Sequence, residues 1–334
     1  MRRLRAVLIV LLIIVVLIGG AGIGARYYAS SALWGAGPAQ APTTVVIAKG
    51  SRTGTIGRQL QTAGVVAHWR FFELAALALD TGGPLHAGEY AFVPGQTLHD
   101  VLRQIREGRT VVHRLTAPEG LSVAEILAIV AADPALSGAM PPAPAEGSLM
   151  PDTYNFSLGD SRADMIARMH RAMDKLVADL WVKRTPRTEI ASPDAALTLA
   201  SIVEKESALP DERPKVAAVF LNRLDKGMKL QADPTVIYAL TGGKAPLGRA
   251  LDHADLSIDS PYNSYRYEGL PPTPIACPGR ASLNAVLHPD STDALYFVAD
   301  GTGHHAFAES LDDHNRNVAK LRRLEQAAPQ ANTK

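Results

Sequence analysis

The sequence has almost no cysteine. Its 334 residues include a single one, Cys277, and one thiol cannot close an intrachain disulfide. The 34 Lys and Arg residues nearly balance the 33 Asp and Glu residues, so the formal net charge is +1, and neither sign forms a long block. Binding to nucleic acid depends on a basic face that neutralises phosphates. The fold must therefore be held by its hydrophobic core, and we expect no nucleic acid among its partners.

Motifs for several common chemistries are missing as well. The chain has no Walker A motif and no dinucleotide-binding fingerprint, and Ser201 is not part of a G-x-S-x-G elbow. His304, His305 and His314 lie among aspartates, but their spacing matches no standard zinc-ligand pattern. We therefore expect neither a metal nor a cofactor.

Charge is also absent from residues 6–25, which are dominated by Leu, Ile and Val. About 20 apolar residues are enough to cross a bilayer core. Three arginines precede this run, and Arg26 is the only nearby charge after it. The positive-inside rule then places the N-terminus in the cytoplasm and the rest of the chain outside. The sequence predicts that residues 1–28 form a cytoplasmic stub and a single-pass anchor in the plasma (inner) membrane, with residues 6–25 in the lipid bilayer.

Two alternatives to an uncleaved anchor remain for this run. A cleaved signal peptide would have a shorter apolar region, roughly 7–15 residues, and an A-x-A-like site. A buried helix of a soluble core is the other. Aromatic residues typical of a membrane interface follow the run and favour an anchor: Tyr27, Tyr28 and Trp34. Residues 29–43 are rich in Gly, Pro and Ala towards their end and predict a short tether.

A strand, a glycine turn and a helix recur three times in residues 44–139. The three segments are VVIAKGSRTGTIGRQL, GEYAFVPGQTLHDVLRQI and HRLTAPEGLSVAEILAIV. Two of their helices have start signals, Thr97 with Asp100 and Ser122 with Glu125. Small β/α modules of this kind often serve as binding platforms. The alternative is that the order strand, turn, helix is common in proteins and does not indicate binding.

Three prolines in residues 140–146 mark the clearest internal boundary, since none of them fits inside a helix or a central strand. The following region, 146–327, is mainly helical by its periodicity, and residues 328–334 are a tail. Predicted helices span residues 68–79, 164–183, 195–208, 214–226 and 311–326, with a short one opening at Asp233 and a strand at 294–299. The fold class is therefore α+β, with an N-terminal transmembrane helix, a small β/α subdomain and a mainly helical domain with a few strands.

Two acids lie two residues apart on the predicted helix ALTLASIVEKES and face nearly opposite sides. Glu206 follows Ile202 and Val203 by one turn and lies on the apolar stripe, whereas Glu204 lies nearer the polar side. Burial disfavours the charged carboxylate, so the pKa of Glu206 rises and the group stays protonated near neutral pH. A general acid needs this property. The alternative is an ion pair between Glu206 and a nearby basic side chain: Lys205, Arg213 or Lys215.

Polar side chains further along the chain are candidates for lining a substrate cleft. Gln231 and Asp233 precede a short helix, and Tyr262, Asn263 and Tyr265 lie in a later loop. Aromatic faces stack on sugar rings, and amides bond to hydroxyl and N-acetyl groups. The alternative for each is loop structure, because Asx residues build turns without any ligand, and Asp233 is also placed to cap its helix.

Five blocks of the sequence resemble the endolytic murein transglycosylase family, in order along nearly the whole chain. They are EGSLMPDTYNF, LASIVEKES, VFLNRLDKGMKLQADPTVIYAL, SPYNSYRYEGLPPTPIACPG and YFVADGTGHHAF. The resemblance implies a LysM-like subdomain in residues 44–139 and a lysozyme-like transglycosylase domain in residues 146–327. It also implies that Glu206, the second acid of the E-K-E-S sequence, is catalytic. Tyr154 matches the tyrosine of the first block and joins the substrate-binding candidates.

The resemblance further implies a lyase that needs one carboxylate, whereas ordinary glycoside hydrolases use two. Glu206 would protonate the oxygen between N-acetylmuramic acid and N-acetylglucosamine. It would then accept the proton of the muramic acid 6-hydroxyl, which attacks C1 and leaves a 1,6-anhydro end. The implied role is to limit the length of new peptidoglycan strands near the membrane, with penicillin-binding peptidoglycan synthases as candidate partners. Two alternatives are a muramidase hydrolase with Asp233 as second acid, and a non-catalytic glycan-binding scaffold.

Overall fold

The computed structural model describes residues 2–79 and 83–327. Met1, residues 80–82 and the predicted tail 328–334 lie outside the described residues. The described chain contains eleven α-helices, six strands and one short 3-10 helix, and its strands form three two-stranded sheets. The predicted α+β class is confirmed at the level of a mixed chain that is mainly helical. The LysM-like character of the first subdomain stays a prediction.

Two compact units make up the chain. The first is Met1–His113 with Phe156–Leu158, and the second is Arg114–Asn155 with Gly159–Lys334. The domain limits predicted from the sequence, 44–139 and 146–327, stay predictions. The elements of the first unit are α1 (Arg2–Trp34), β1 (Thr43–Ile47), α2 (Thr53–Thr62), α3 (Trp69–Ala78), β2 (Gly88–Phe92) and α4 (Leu98–Arg106).

Helix α1 is the one helix of the described residues that is long and apolar enough to cross a membrane. It continues without a break to Trp34, so residues 29–34 of the predicted tether are helical. The physical reason is that residues 29–34 contain no glycine or proline, which begin again at Gly35, and that two aromatic pairs stabilise the end of α1. The Tyr28 ring lies 5.5 Å from that of Phe71, and Trp34 stacks on His99 at 4.2 Å.

The core of the first unit lies between the hairpin-like sheet and its helices. Strands β1 and β2 pair antiparallel, with Val45 opposite Tyr90. Helix α4 turns Leu98, Val101, Leu102 and Ile105 inward at helical spacing, and they are buried. The predicted start of α4 is confirmed, because the Thr97 hydroxyl accepts a hydrogen bond from the backbone N–H of Asp100 at 3.1 Å.

The elements that follow are β3 (His113–Thr116), α5 (Val123–Ala132), β4 (Thr153–Phe156), α6 (Arg162–Trp181), α7 (Pro193–Glu206), α8 (Arg213–Asp225), α9 (Asp233–Thr241), α10 (Arg280–Leu287), β5 (Tyr296–Ala299), β6 (His305–Ala308) and α11 (Leu311–Ala327). The predicted helices of this half are confirmed to within two residues at each end. The capping box of Ser122 with Glu125 is also confirmed.

Helix α7 is the centre of the second unit. It packs against α8 and α10, and seven of its fourteen residues are buried. The sequence does not predict α10, because an eight-residue apolar segment after Pro278 and Gly279 is too short to show a helical period. Strands β4 and β6 are missed for the same reason, since each has only four residues.

Candidate active site

Glu206 is the last residue of α7. The helix begins at Pro193, where the Ser192 hydroxyl caps it by accepting from the backbone N–H of Ala195 at 3.1 Å. Fourteen residues later the backbone leaves the helical conformation at Ser207, which is extended. The Glu206 side chain therefore lies at a helix end whose preceding turn is buried, and Glu206 itself is half-buried.

The surroundings of Glu206 favour its protonated form. Burial, and then the negative charge of Asp233, raise the pKa of Glu206 to about 7, while the positive charge of Arg223 opposes the rise. No hydrogen bond or ion pair to the Glu206 carboxyl group is found among the described residues. Near neutral pH this group is divided between its acid and its base form, as a proton donor that must later act as an acceptor requires.

Glu204 has a structural role, and its predicted place on the polar side of the helix is wrong. Its side chain is only 4% exposed and pairs with the guanidinium of Arg213, Nη2 to Oε1 at 2.8 Å. The other carboxylate oxygen accepts from the backbone N–H of Gly279 at 2.9 Å. These partners come from α8 and from a loop 75 residues away, so the pattern within α7 could not reveal them.

The three basic residues considered as ion-pair partners of Glu206 are engaged elsewhere. Arg213 binds Glu204, the Lys205 ammonium donates to the carbonyl of Gly120 at 3.2 Å, and Lys215 lies 4.4 Å from the centre of the Phe307 ring. The salt-bridge alternative for Glu206 is therefore wrong for the described structure.

Asp233 and Tyr265 form a pair beside Glu206. The Tyr265 hydroxyl donates to Asp233 Oδ1 at 2.6 Å. Burial, Asp233 and Glu206 raise the pKa of Tyr265, so its hydroxyl keeps its proton. Asp233 is exposed and stands at the first position of α9, where Ala232 and not Asp233 is the N-cap. The capping alternative for Asp233 is therefore wrong, and the negative charge of Asp233 acts on Glu206.

Gln231 lies directly before this pair in a rare backbone conformation. Its φ is +54°, and it is the one residue other than glycine with positive φ in the described chain. Such a conformation costs about 1–2 kcal/mol for a residue with a side chain and is enriched at functional sites. The backbone N–H of Gln231 donates to the carbonyl of Ser264 at 3.1 Å, which ties the start of α9 to the loop that contains Tyr265.

Arg223 is the charged neighbour that the sequence analysis missed. It is 9% exposed, its Nε donates to the carbonyl of Leu295 at 2.7 Å, and its Nη1 donates to the carbonyl of Leu230 at 2.8 Å. The Tyr296 ring centre lies 5.2 Å from the guanidinium carbon. The sequence contains a signal for Arg223 of the same kind as for Glu206, because Arg223 follows Val216 by seven residues on the apolar stripe of α8.

The remaining candidates from the sequence are less well placed. Asn263 is fully buried, and its amide donates to the carbonyls of Leu256 and Ile258, so the loop-building alternative describes it. Tyr262 bonds to the Thr273 hydroxyl at 2.7 Å and is half-buried. Tyr154 lies on β4, where its hydroxyl donates to the carbonyl of Met150 at 2.7 Å, and no contact joins it to Glu206 within the described residues.

The C-terminal histidines contact a carboxylate and a ring. His304 and His305 meet the two oxygens of Glu212 through Nδ1, at 3.1 and 2.6 Å. His314 stacks on Tyr296, with ring centres 5.2 Å apart. No group of three or more side chains suited to a metal ion occurs among the described residues.

A cavity of about 720 Å³ lies at the opposite end of α7 from Glu206. Its walls include Trp181 of α6, Thr198 of α7 and Pro274. Thr198 precedes Glu206 by eight residues, which is about 12 Å along a helix axis. The cavity is therefore separate from the acid, and its position does not identify the site of chemistry.

Comparison with known proteins gives consistent results. Residues 45–320 match the YceG-like family. The endolytic murein transglycosylase of Bacillus subtilis (strain 168) is 33% identical over 306 residues, 82% of this chain and 83% of that protein. That of Streptococcus pneumoniae (strain D39) is 32% identical, over 83% of this chain and 58% of its own length. The crystal structure of a YceG-like protein from Listeria monocytogenes is 32% identical, with a TM-score of 0.52, over 83% of this chain and 99% of that one.

The fold and the site define a mixed, mainly helical protein whose candidate catalytic group is one half-buried glutamic acid at the end of a core helix. The chain belongs to the YceG-like family. The family predicted from the five sequence blocks is thereby confirmed.

Proposed function

We propose that this protein is an endolytic lytic transglycosylase, a lyase that cuts the glycan strands of peptidoglycan. The observation that carries the proposal is Glu206, a half-buried acid with a pKa of about 7 and no ion-pair partner among the described residues. One such group can donate a proton and take one back near neutral pH. The curated relatives, which are named endolytic murein transglycosylases, support the same class of reaction.

The proposed reaction cleaves the β-1,4 bond between N-acetylmuramic acid and N-acetylglucosamine. Glu206 gives its proton to the bridging oxygen as the bond from that oxygen to C1 of the muramic acid breaks. The 6-hydroxyl oxygen of the same muramic acid bonds to C1, and its proton passes to the Glu206 carboxylate. The product is a 1,6-anhydro end, no water is consumed, and the enzyme regains its starting form. Because the nucleophile belongs to the substrate, proximity replaces a second carboxylate.

The neighbours of Glu206 would position the sugar and adjust the acid. Asp233 and Tyr265 are joined by a 2.6 Å hydrogen bond next to Glu206, so they are the best-placed candidates for contacts to hydroxyl and N-acetyl groups. Exposed Gln231 is a third. Arg223 would act on Glu206 through its charge and is a positioning residue in this proposal.

The predicted anchor determines where in the cell the proposed activity takes place. We infer that α1 spans the inner (plasma) membrane with its N-terminus in the cytoplasm and that the remaining chain lies outside. The substrate would then be new strands close to the membrane, and cutting them would limit their length. A LysM-like role for residues 44–139 in binding glycan, and penicillin-binding synthases as partners, belong to the same proposal.

The test is digestion of purified peptidoglycan by the full chain in detergent, in water enriched in oxygen-18. We expect muropeptides with anhydro ends and no oxygen-18 at C1, measured by mass spectrometry. Glu206→Gln should lower the rate about 100-fold or more, the range for loss of a general acid. Glu309→Gln, a change at an exposed acid, serves as the matched control and should leave the rate unchanged.

A muramidase hydrolase is the second candidate, because the charge of Asp233 reaches Glu206. In that reaction a carboxylate would activate water, and oxygen-18 would appear in reducing ends. Such products from the wild-type chain, and their loss in Asp233→Asn, would establish the hydrolase and contradict the lyase.

A further inference from the structure

Helix α3 exposes apolar side chains that no part of its own unit covers. Phe72 and Ala75 point into the core, whereas Leu74 is 60% exposed and Leu77 is 78% exposed. With Arg70 these two leucines follow one another at positions i, i+4 and i+7, along one face of the helix. Two neighbouring leucines on one outer face form a small apolar surface that is available for contact.

The position of α3 along α1 determines what this surface meets. The uncharged part of α1 ends at Ala25, and Tyr28 lies three residues further, about 5 Å along the helix axis. The Tyr28 ring contacts the ring of Phe71 at 5.5 Å. When α1 crosses a bilayer, α3 therefore lies at the depth of the lipid headgroups. Trp34, six residues later on α1, stacks on His99 of α4, so a second ring contact joins α1 to its unit.

The polar groups beside the leucines suit a lipid surface. The guanidinium groups of Arg58 and Arg70 lie 5.2 and 5.4 Å from the Trp69 ring centre, and both arginines are exposed. The carboxylate of Glu73 is turned towards α2, since a Cβ at Gly54 would lie 2.8 Å from its Oε1. The outer face thus combines arginine and leucine, with Trp69 at its edge beside α2, a composition typical of helices that lie in the interface of anionic membranes.

We propose that the outer face of α3, formed by Arg70, Leu74 and Leu77, lies on the membrane surface as a second membrane contact beside α1. The occupant of this face is the boundary between headgroups and acyl chains of an anionic bilayer. The inference rests on the proposed function, because it needs α1 to span the membrane. Its consequence is that the first unit has a fixed orientation relative to the bilayer, since two contacts restrict rotation about α1.

The experiment places a fluorescent label on α3 in the full chain reconstituted in vesicles with anionic lipid. Cys277 is buried, so a cysteine introduced by Leu77→Cys is labelled selectively, with the unmodified chain as the blank. Vesicles without a quencher are compared with vesicles that carry quenchers at two depths, near the lipid headgroups and at the centre of the bilayer, where position 15 of α1 lies. Labels at Val93→Cys, exposed in the same unit, and at Val15→Cys in α1 are the negative and positive controls.

We expect loss of fluorescence at positions 77 and 15 and none at 93. Quenching at 15 with an unquenched label at 77 overturns the inference and leaves the anchor intact. An unquenched label at both positions, or a chain that does not float with the vesicles, contradicts the anchor itself and the inference with it. A label at 77 that is quenched only when a membrane extract is added assigns the face to a protein partner and also overturns the inference.

Discussion

Two glutamates on α7 are separated by one residue and have opposite environments. Glu204 receives a guanidinium and a backbone N–H, both at hydrogen-bond distance. Glu206 loses hydration without receiving a partner among the described residues, and its pKa rises to about 7. The charged form is therefore stabilised at the first site and destabilised at the second, which separates a structural carboxylate from one suited to proton transfer.

Glu206→Gln should stabilise the fold above pH 7. The folded pKa of about 7 exceeds the ordinary value of 4.5, so folding binds the proton more tightly. The free energy of unfolding of the wild type then falls as pH rises from about 4.5 to about 7 and is constant beyond. Because one pKa unit is about 1.4 kcal/mol, the variant gains at most about 3 kcal/mol at pH 8 and little at pH 4. Denaturant unfolding of the variant and the wild type at both pH values measures this difference in the free energy of unfolding.

Glu204→Gln is the matched control and should have the opposite sign. It leaves the buried Arg213 charge without its main partner, which costs about 3 kcal/mol. Equal stability changes for the two variants at pH 8 would contradict the different environments of these acids.

The charges around Glu206 should move the pH dependence of kcat/KM in opposite directions. The reaction starts from protonated Glu206, so activity declines as pH rises through about 7. Asp233→Asn removes a negative charge and should move this decline in activity to lower pH, and Arg223→Gln removes a positive charge and should move it to higher pH by a smaller amount. Arg223→Lys keeps the charge and should leave the decline in place. Shifts of the same sign from Asp233→Asn and Arg223→Gln would show that these charges do not determine the pH at which kcat/KM declines.

For single residues, the environment could be predicted from the sequence where the neighbouring side chains belong to the same helix. The apolar turn before Glu206 is part of α7, so its burial was predictable. Glu204 was misplaced because Arg213 and Gly279 come from other segments. The burial of Asn263 was not predictable because the carbonyls that hold its amide inward, those of Leu256 and Ile258, have no sequence signature.

Among the elements, those with end signals were predicted well. The caps at Thr97 and Ser122 mark helix starts in the sequence as they do in the structure. The short α10 has no side-chain cap and forms because it packs on α7 and α8. Packing of that kind depends on the assembled core and cannot be deduced from eight residues.

The turn that begins the EGSLMPDTYNF block should be sensitive to one methyl group. Gly147 has φ +78°, and a Cβ there would lie 2.6 Å from the Cβ of Pro274. Gly138 has φ +80° with no atom within 4 Å of a Cβ, so it reports the backbone cost alone. Gly138→Ala should cost about 1 kcal/mol, and Gly147→Ala about 1–3 kcal/mol more, from the midpoint of denaturant unfolding. Equal costs would mean that the Pro274 loop moves aside freely.

For the whole molecule, the anchor and the chemistry should be separable. Two arginines placed in α1 by Leu11→Arg and Val15→Arg each cost about 3 kcal/mol at the centre of a bilayer. We expect the variant to leave the membrane fraction while its rate on purified peptidoglycan in detergent is unchanged. Leu11→Ile with Val15→Ile is the control that stays in the membrane. A parallel loss of rate in the arginine variant would mean that α1 also supports the active fold.

The bond between Arg223 and Leu295 has a consequence for the order of synthesis. These two residues are 72 positions apart, and the guanidinium that acts on Glu206 is fixed by a carbonyl of the last part of the chain. A ribosome makes the acid long before it makes Leu295. The finished environment of Glu206 therefore exists only after the segment that contains Leu295 has been made and has packed against α8. A chain truncated before Leu295 would keep Glu206 and Arg223 but lose the carbonyl that fixes the guanidinium.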